Sequence, residues 1–161
     1  MALEIGREAP DFELMDAQSK EKVKLSDFRG KKNVLLIFYP LAFSTICSME
    51  FCELRDSNAD LTGLDDVEVF GISVDTHWSL KVWQDQEEFP GRFLSDFWPH
   101  GEVAQSYGVF LDAVGIATRG TFLIDKDGIL QWAEITAPLQ ARDQRSWREA
   151  LAKVAPPSAV R

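Results

Sequence analysis

Cysteine and histidine are scarce in this chain, and a long apolar run is missing from it. The 161 residues include two cysteines and two histidines, and their wide scatter does not match the spacing of zinc ligands. No apolar stretch approaches the roughly 20 residues that span a bilayer. The N-terminal residues lack the basic and then apolar pattern of a signal peptide. We therefore expect no metal, no membrane association and a cytoplasmic location.

Basic residues are also in deficit, with 17 lysines and arginines against 26 acidic residues and a formal net charge of -9. This balance argues against a nucleic acid or an anionic membrane as a partner, because both would repel the protein surface. The length fits one well-buried core better than two. We predict a single domain over residues 1–154 and a flexible C-terminal tail over residues 155–161.

Strand-like and helix-like segments alternate along the sequence. Two runs are continuously apolar, as expected of strands that are covered on both faces, and Lys126-Asp127-Gly128 is a hairpin signal. This order predicts an α/β protein with a mixed sheet, helices on both faces and an N-terminal β-hairpin. Within the second helix, we expect Trp78, Val82 and Trp83 to face the core. The predicted strands are 11–14, 22–24, 34–38, 67–74, 92–95, 121–125 and 129–135, and the predicted helices are 45–61, 76–86, 101–107 and 143–154.

The stretch from Pro40 to Cys52 follows the first apolar strand and enters a predicted helix. Pro40 ends the strand because it has no N–H to donate, and Ser44 is placed to cap the helix with its hydroxyl. Cys47 then lies in the first helical turn, where free N–H groups and the helix dipole favour a thiolate. A buried small apolar residue is the alternative interpretation of this cysteine, and its position alone does not decide between the two.

Four segments of the sequence together resemble the peroxiredoxin family. Pro40-x-x-x-Ser44-x-x-Cys47 resembles the active-site pattern Pro-x-x-x-Thr/Ser-x-x-Cys of that family. The other three segments span residues 6–12, 25–30 and 115–125, so the resemblance covers nearly the entire chain in the same order. It implies a thioredoxin-like fold. It also implies that a cysteine reduces hydrogen peroxide, alkyl hydroperoxides or peroxynitrite without a cofactor such as a metal or haem.

The same resemblance assigns a role to each residue of the predicted site. Cys47 would attack a peroxide oxygen and become a sulfenic acid. Arg119 would lie against the thiolate and donate hydrogen bonds to it and to the peroxide. Ser44 would offer its hydroxyl to the sulfur or the peroxide, and Pro40 would shield the sulfur. Glu50 would orient the arginine or the loop; the alternative is a solvated charge on the helix surface.

Cys52 connects the chain to two subgroups of the family. The spacing Cys47-x-x-x-x-Cys52 resembles the bacterioferritin-comigratory, or peroxiredoxin Q, group, in which the second cysteine resolves the sulfenic acid as a disulfide. The Pro-Leu-Ala-Phe sequence before Ser44 is more similar to the one-cysteine alkyl hydroperoxide reductase E group, which relies on an external thiol. We expect Cys52 to resolve Cys47. The resemblance implies either a monomer or a homodimer packed edge to edge, and of these we expect the homodimer. The reductant would be thioredoxin, a glutaredoxin-like or mycoredoxin-like protein, or a small thiol.

Three other functional classes compete with the peroxidase. A thiol–disulfide oxidoreductase usually carries Cys-x-x-Cys, and no cysteine lies three residues from Cys47. A redox-sensing or holdase module would change its partners when Cys47 is oxidised. A third alternative is a thiol hydrolase in which His77 or His100 pairs with the cysteine, although nothing in the sequence brings either histidine to it.

Overall fold

A seven-stranded mixed sheet organises the computed structural model, which describes residues 3–56 and 66–154. The described strands are β1 (Glu13–Asp16), β2 (Lys22–Lys24), β3 (Asn33–Phe38), β4 (Val67–Ser73), β5 (Arg92–Ser95), β6 (Phe110–Leu111), β7 (Ile116–Ala117), β8 (Arg119–Ile124) and β9 (Leu130–Thr136). The described α-helices are α1 (Thr45–Asp56), α2 (His77–Glu87), α3 (Glu102–Ser106) and α4 (Gln144–Val154), and a short 3-10 helix spans Leu25–Phe28.

The strand order of the large sheet is β2-β1-β5-β4-β3-β8-β9. Strands β3, β4 and β5 run parallel to one another, and the other described pairings in this sheet are antiparallel. Strands β6 and β7 pair only with each other in a small separate sheet, which the sequence analysis did not predict. The N-terminal hairpin of β1 and β2 extends one edge of the large sheet, as predicted.

All six residues of strand β3 are buried, so this strand lies in the interior of the molecule. Its side chains alternate between the two faces of the sheet: Leu36 and Phe38 enter one apolar cluster, whereas Leu35 and Ile37 enter the other. The first cluster includes residues of α3, and the second includes residues of α1, α2 and α4. The sheet therefore has helices on both faces, which confirms the predicted α/β architecture.

The prediction that Trp78 and Val82 face the core is wrong. These side chains are 61% and 57% exposed, whereas Trp83 is buried as expected. Successive residues on a helix are about 100° apart, and α2 packs through Leu80, Trp83 and Gln84. Trp78 and Val82 each lie two residues from Leu80 and therefore point to the opposite side of the helix. Large apolar side chains alone did not reveal which face was buried.

The starts of two strands also differ by two residues from the prediction. Strand β1 begins at Glu13 rather than residue 11, because the Asp11 carboxylate accepts hydrogen bonds from the N–H groups of Phe12 and Ser26 in a turn. Strand β8 begins at Arg119 rather than at residue 121. Helix α1 is described as far as Asp56, and the remainder of the predicted helix lies outside the described residues, as does the predicted C-terminal tail. The single domain over residues 1–154 stays a prediction.

The sequence lacks an apolar run long enough to span a membrane, which predicts that no helix of the chain crosses one. In the part of the chain that the structure describes, each helix is too short or too polar to cross a membrane.

Gly71 in the middle of β4 leaves room for the helix that carries Cys47. A Cβ atom at this position would lie 2.7 Å from the ring of Phe93 and 3.3 Å from the ring of Phe51 on α1. We predict that Gly71→Ala lowers the free energy of unfolding by about 1–3 kcal/mol, because the rings must shift to accept the methyl group. Urea unfolding of both proteins measures this difference. Equal unfolding midpoints and slopes would contradict the prediction.

Candidate active site

Cys47 lies buried in the first turn of α1, directly behind the loop that leaves β3. Pro40 is buried at the start of this loop, and β3 has ended at Phe38, as predicted. The carbonyl of Ser44 accepts a hydrogen bond from the N–H of Ser48 at 2.9 Å. Cys47 is therefore among the residues whose N–H groups have no partner within the helix, which is the environment expected from the sequence.

The hydroxyl of Ser44 makes a different hydrogen bond from the one predicted. It donates to the carbonyl of Leu41 at 3.0 Å, whereas we expected it to accept from an N–H group of the helix. The bond closes the loop on itself, because donor and acceptor are three residues apart. Ser44 does occupy the position immediately before α1, so its location, but not its contact, agrees with the prediction.

Arg119 reaches Cys47 from the first residue of β8. Its Nη1 lies 3.2 Å from Cys47 Sγ and 2.6 Å from Glu50 Oε1, and its Nε donates to the carbonyl of Pro138 at 2.8 Å. Strand β8 is the direct neighbour of β3, where Gly120 pairs with Phe38. Because Cys47 follows β3 by a short loop, this pairing brings the arginine and the cysteine together across 72 residues of sequence.

Glu50 lies one helical turn after Cys47 and is only 5% exposed, so the alternative of a solvated helix charge is wrong. Its Oε1 accepts from Arg119, and its Oε2 accepts from Nε of Arg142 at 3.0 Å and from the N–H of Arg142 at 2.7 Å. Residues three apart on a helix share a face, so the carboxylate and the thiol point in the same direction. Glu50 therefore bridges two arginines beside the sulfur.

Arg142 is the residue of this site that the sequence analysis missed. Its guanidinium is buried, and besides Glu50 it donates to the carbonyl of Phe38 and to the hydroxyl of Thr121, both at 2.8 Å. Burial lowers the pKa of Arg142, while attraction to Glu50 opposes that shift. Arg142 precedes α4 in a polar segment whose sequence predicts only a connecting loop. Only its tertiary position reveals its part in the site.

The four side chains form a buried cluster of charges. Arg119 and Arg142 contribute two positive charges, and Glu50 contributes one negative charge. An excess buried charge is costly, and this cluster is balanced when the sulfur of Cys47 carries the second negative charge. Chemically, the arrangement offers a sulfur atom together with a guanidinium that can donate to an oxygen atom placed next to it.

Cys52 lies on the same helix as Cys47, but on a different side. Both thiols are free, with Cys47 buried and Cys52 half-buried, while Met49 on the side of Cys52 is exposed. Five residues on an intact helix separate two Cα atoms by about 8–9 Å. A disulfide requires less than about 7 Å, so the structure described here holds the two cysteines too far apart to join.

Among the described residues, His77 and His100 make their contacts with residues other than Cys47. The rings of His77 and Trp78 lie 4.4 Å apart. The two ring nitrogens of His100 face the carbonyls of Phe97 and Gly115. The Cys–His pair of a thiol hydrolase thus has no support here. In residues 3–56 and 66–154, no group of three or more histidine, cysteine, aspartate or glutamate side chains is arranged to hold a metal ion.

Comparison with known proteins identifies similar sequences and structures. The model of the AhpC/TSA family matches residues 5–133. Alkyl hydroperoxide reductase E of Mycobacterium tuberculosis (strain H37Rv) is 49% identical over 150 residues, which cover 93% of this chain and 97% of that protein. The chloroplastic 2-Cys peroxiredoxin BAS1 of Arabidopsis thaliana is 38% identical over 138 residues, covering 81% of this chain and 52% of that protein.

Two solved structures share the fold. The crystal structure of Enterococcus faecalis AhpC is 29% identical, with a TM-score of 0.82, and the match covers 95% of this chain and 93% of that one. The mitochondrial 2-Cys peroxiredoxin of Plasmodium falciparum is 26% identical, with a TM-score of 0.81 and 94% coverage of both chains. The architecture and the sequence relatives together define a thiol-dependent peroxidase with the thioredoxin-like fold of the peroxiredoxins. The chain belongs to the AhpC/TSA family.

The position of Glu50 between two arginines leads to a prediction about stability. We expect Glu50→Gln to lower the free energy of unfolding by about 3–5 kcal/mol, because it leaves two buried guanidinium groups without their carboxylate. Urea unfolding at neutral pH measures the loss. Glu53→Gln is the matched control, since Glu53 is exposed on the same helix and should change stability by no more than about 0.5 kcal/mol. Equal losses in the two variants would contradict a structural role for the buried cluster.

Proposed function

We propose that Cys47 is the peroxidatic nucleophile of this enzyme and that Arg119 activates both the thiolate and the peroxide. The observation that carries this proposal is the distance of 3.2 Å between Arg119 Nη1 and Cys47 Sγ inside a buried charge cluster. A guanidinium this close stabilises a thiolate and leaves other N–H groups for a second acceptor. The free N–H groups at the start of α1 provide further donors.

The proposed reaction transfers one oxygen atom from the peroxide to the sulfur. An electron pair of the Cys47 thiolate forms the new S–O bond, and the O–O bond breaks. The leaving oxygen takes up the electron pair of that bond and then a proton, so that an alcohol or water departs. The cysteine is oxidised to a sulfenic acid, and Arg119 stabilises the negative charge as it moves to the leaving oxygen.

Pro40 and Ser44 shape the approach to the sulfur in this proposal. Pro40 is buried beside the loop and would exclude water from the thiolate. The Ser44 hydroxyl, which donates to the carbonyl of Leu41 in the structure, would turn toward the bound peroxide. Glu50 would hold Arg119 in place, because it accepts from the same Nη1 that contacts the sulfur.

Cys52 would then complete the cycle. Its thiol condenses with the sulfenic acid of Cys47, which forms a disulfide and releases water. A thioredoxin, a glutaredoxin-like or mycoredoxin-like protein, or a small thiol would supply the two electrons that reduce this disulfide. We also propose a cytoplasmic homodimer. Exposed large apolar side chains that include Phe43, Trp78 and Trp98 support a dimer, because a second subunit could cover them.

The role of Cys47 is tested by Cys47→Ser. A serine hydroxyl without a base is a far weaker nucleophile than a thiolate, so we expect peroxide consumption to fall to the uncatalysed rate while the fold remains intact by circular dichroism. Cys52→Ser is the control, and it should still consume one equivalent of peroxide rapidly. Catalytic turnover by Cys47→Ser would exclude the proposed mechanism. Disulfide reduction without peroxide would instead favour the thiol–disulfide oxidoreductase.

The separation of the two cysteines predicts that disulfide formation unwinds the first turns of α1. Amide hydrogen exchange over residues 45–55 should therefore become faster after one equivalent of peroxide in the wild type, but not in Cys52→Ser. Mass spectrometry of the same samples establishes whether the disulfide has formed. The unwinding model is refuted if the disulfide is present and the protection of these amides is equal in both oxidised proteins.

A further inference from the structure

The loop from residue 40 to residue 44 is tied to the rest of the molecule by the side chain of Asp75. The N–H of Ala42 donates to Asp75 Oδ2 at 2.8 Å. In the described part of the chain, no other hydrogen bond joins a backbone N–H of residues 40–44 to a side chain outside this loop. Asp75 lies just beyond the end of β4, so the bond connects the loop between β3 and α1 to the neighbouring strand.

Asp75 is itself held firmly at three points. Ser73 donates its hydroxyl to the same oxygen, Oδ2, at 2.6 Å, and it accepts from the N–H of Asp75 at 3.3 Å. The hydroxyl of Ser95 donates to the carbonyl of Asp75 at 2.6 Å. Ser73 and Ser95 are opposite each other in the pairing of β4 with β5. The carboxylate therefore occupies a position that is set by two strands of the central sheet.

The loop needs such an external contact because its backbone is strained. Phe43 has a φ of +67°, which is in the left-handed region that a bulky side chain rarely adopts. A residue in this region costs about 1–3 kcal/mol and persists when its surroundings impose the conformation. The residue immediately before Phe43 is Ala42, whose N–H is fixed by Asp75. Loss of that hydrogen bond would allow the turn to relax, and Pro40 and Ser44 would move with it.

We propose that Asp75 is a positioning residue for peroxide reduction: its carboxylate holds the loop over residues 40–44 in the conformation that receives the peroxide. The proposal rests on the function proposed for Cys47. Asp75 acts through its capacity to accept hydrogen bonds, since Oδ2 accepts from both Ala42 and Ser73. We expect it to leave the charge cluster around the thiolate in place, because the described hydrogen bonds of Arg119, Glu50 and Arg142 do not include Asp75.

Two substitutions separate hydrogen bonding from charge. Asp75→Ala removes both, whereas Asp75→Asn can place its amide oxygen at the position of Oδ2 and keep both hydrogen bonds without the charge. We expect Asp75→Ala to slow the reaction of Cys47 with peroxide by about tenfold or more, as small misplacements of reacting groups do. Asp75→Asn should remain within about threefold of the wild type. The measurement is the pre-steady-state rate constant for oxidation of the Cys52→Ser background by peroxide.

A second reaction of the same sulfur reports on the thiolate alone. Iodoacetamide alkylates Cys47 without the donors that orient a peroxide, so its rate should not fall in Asp75→Ala, where a relaxed loop leaves the buried sulfur at least as accessible. Hydrogen exchange gives a direct structural readout, because the Ala42 amide should lose protection in Asp75→Ala and keep it in Asp75→Asn. Thr76→Ala is the matched control: it removes the side-chain hydrogen bond at the start of α2 and should leave both rates and the Ala42 amide unchanged.

Several results would overturn the proposal. An unchanged peroxide rate in Asp75→Ala excludes it, and an equal loss in the alkylation rate shows that Asp75 acts on the thiolate instead. If Asp75→Asn reacts with peroxide as slowly as Asp75→Ala, the negative charge of Asp75 rather than its hydrogen bonding supports the reaction, and the proposal is wrong. If Asp75→Ala does not fold, Asp75→Glu keeps the charge but moves the acceptor, and it must slow peroxide reduction selectively. Failure of the parent protein itself to react with peroxide at Cys47 would refute the proposed function rather than the role of Asp75.

Discussion

The buried carboxylate of Glu50 makes the interactions on which the candidate active site depends. Each of its two oxygens accepts from a different arginine, and each arginine comes from a distant part of the chain. Without this carboxylate, Arg119 and Arg142 would repel each other in an interior that strengthens charge interactions. With it, both guanidinium groups are held close to one sulfur atom. A single residue of α1 thus determines where the positive charge near Cys47 is placed.

The central sheet supplies the precision that this arrangement needs. Phe38 at the end of β3 pairs with Gly120 of β8, and its carbonyl also accepts from Arg142. The same short stretch therefore fixes the start of the loop to Cys47, the strand that carries Arg119 and the guanidinium of Arg142. Sites built on strands are held more rigidly than sites on loops, and here the loop between β3 and α1 is itself anchored by Asp75, just beyond the end of β4.

The fold and most of the site could be predicted from the sequence, for identifiable reasons. Apolar runs and a hairpin signal locate strands because those patterns are local, and the motif around Cys47 together with Arg119 is specific enough to indicate a family. Arg142 carries no local signal, because its role depends on where its segment packs. The outward position of Trp78 was missed for the same reason, since both faces of α2 present large apolar residues.

Arg142 lies 92 residues beyond Glu50 in the sequence, which has a consequence for protein synthesis. Chains emerge from the ribosome from the N-terminus, at about 5–20 residues per second. Glu50 and Cys47 are therefore made several seconds before the second arginine exists, and the charge cluster cannot close in an incomplete chain. A nascent chain that ends before Arg142 contains the cysteine and the carboxylate without the second guanidinium. The buried charge cluster beside Cys47 therefore forms only after the chain has been made through Arg142.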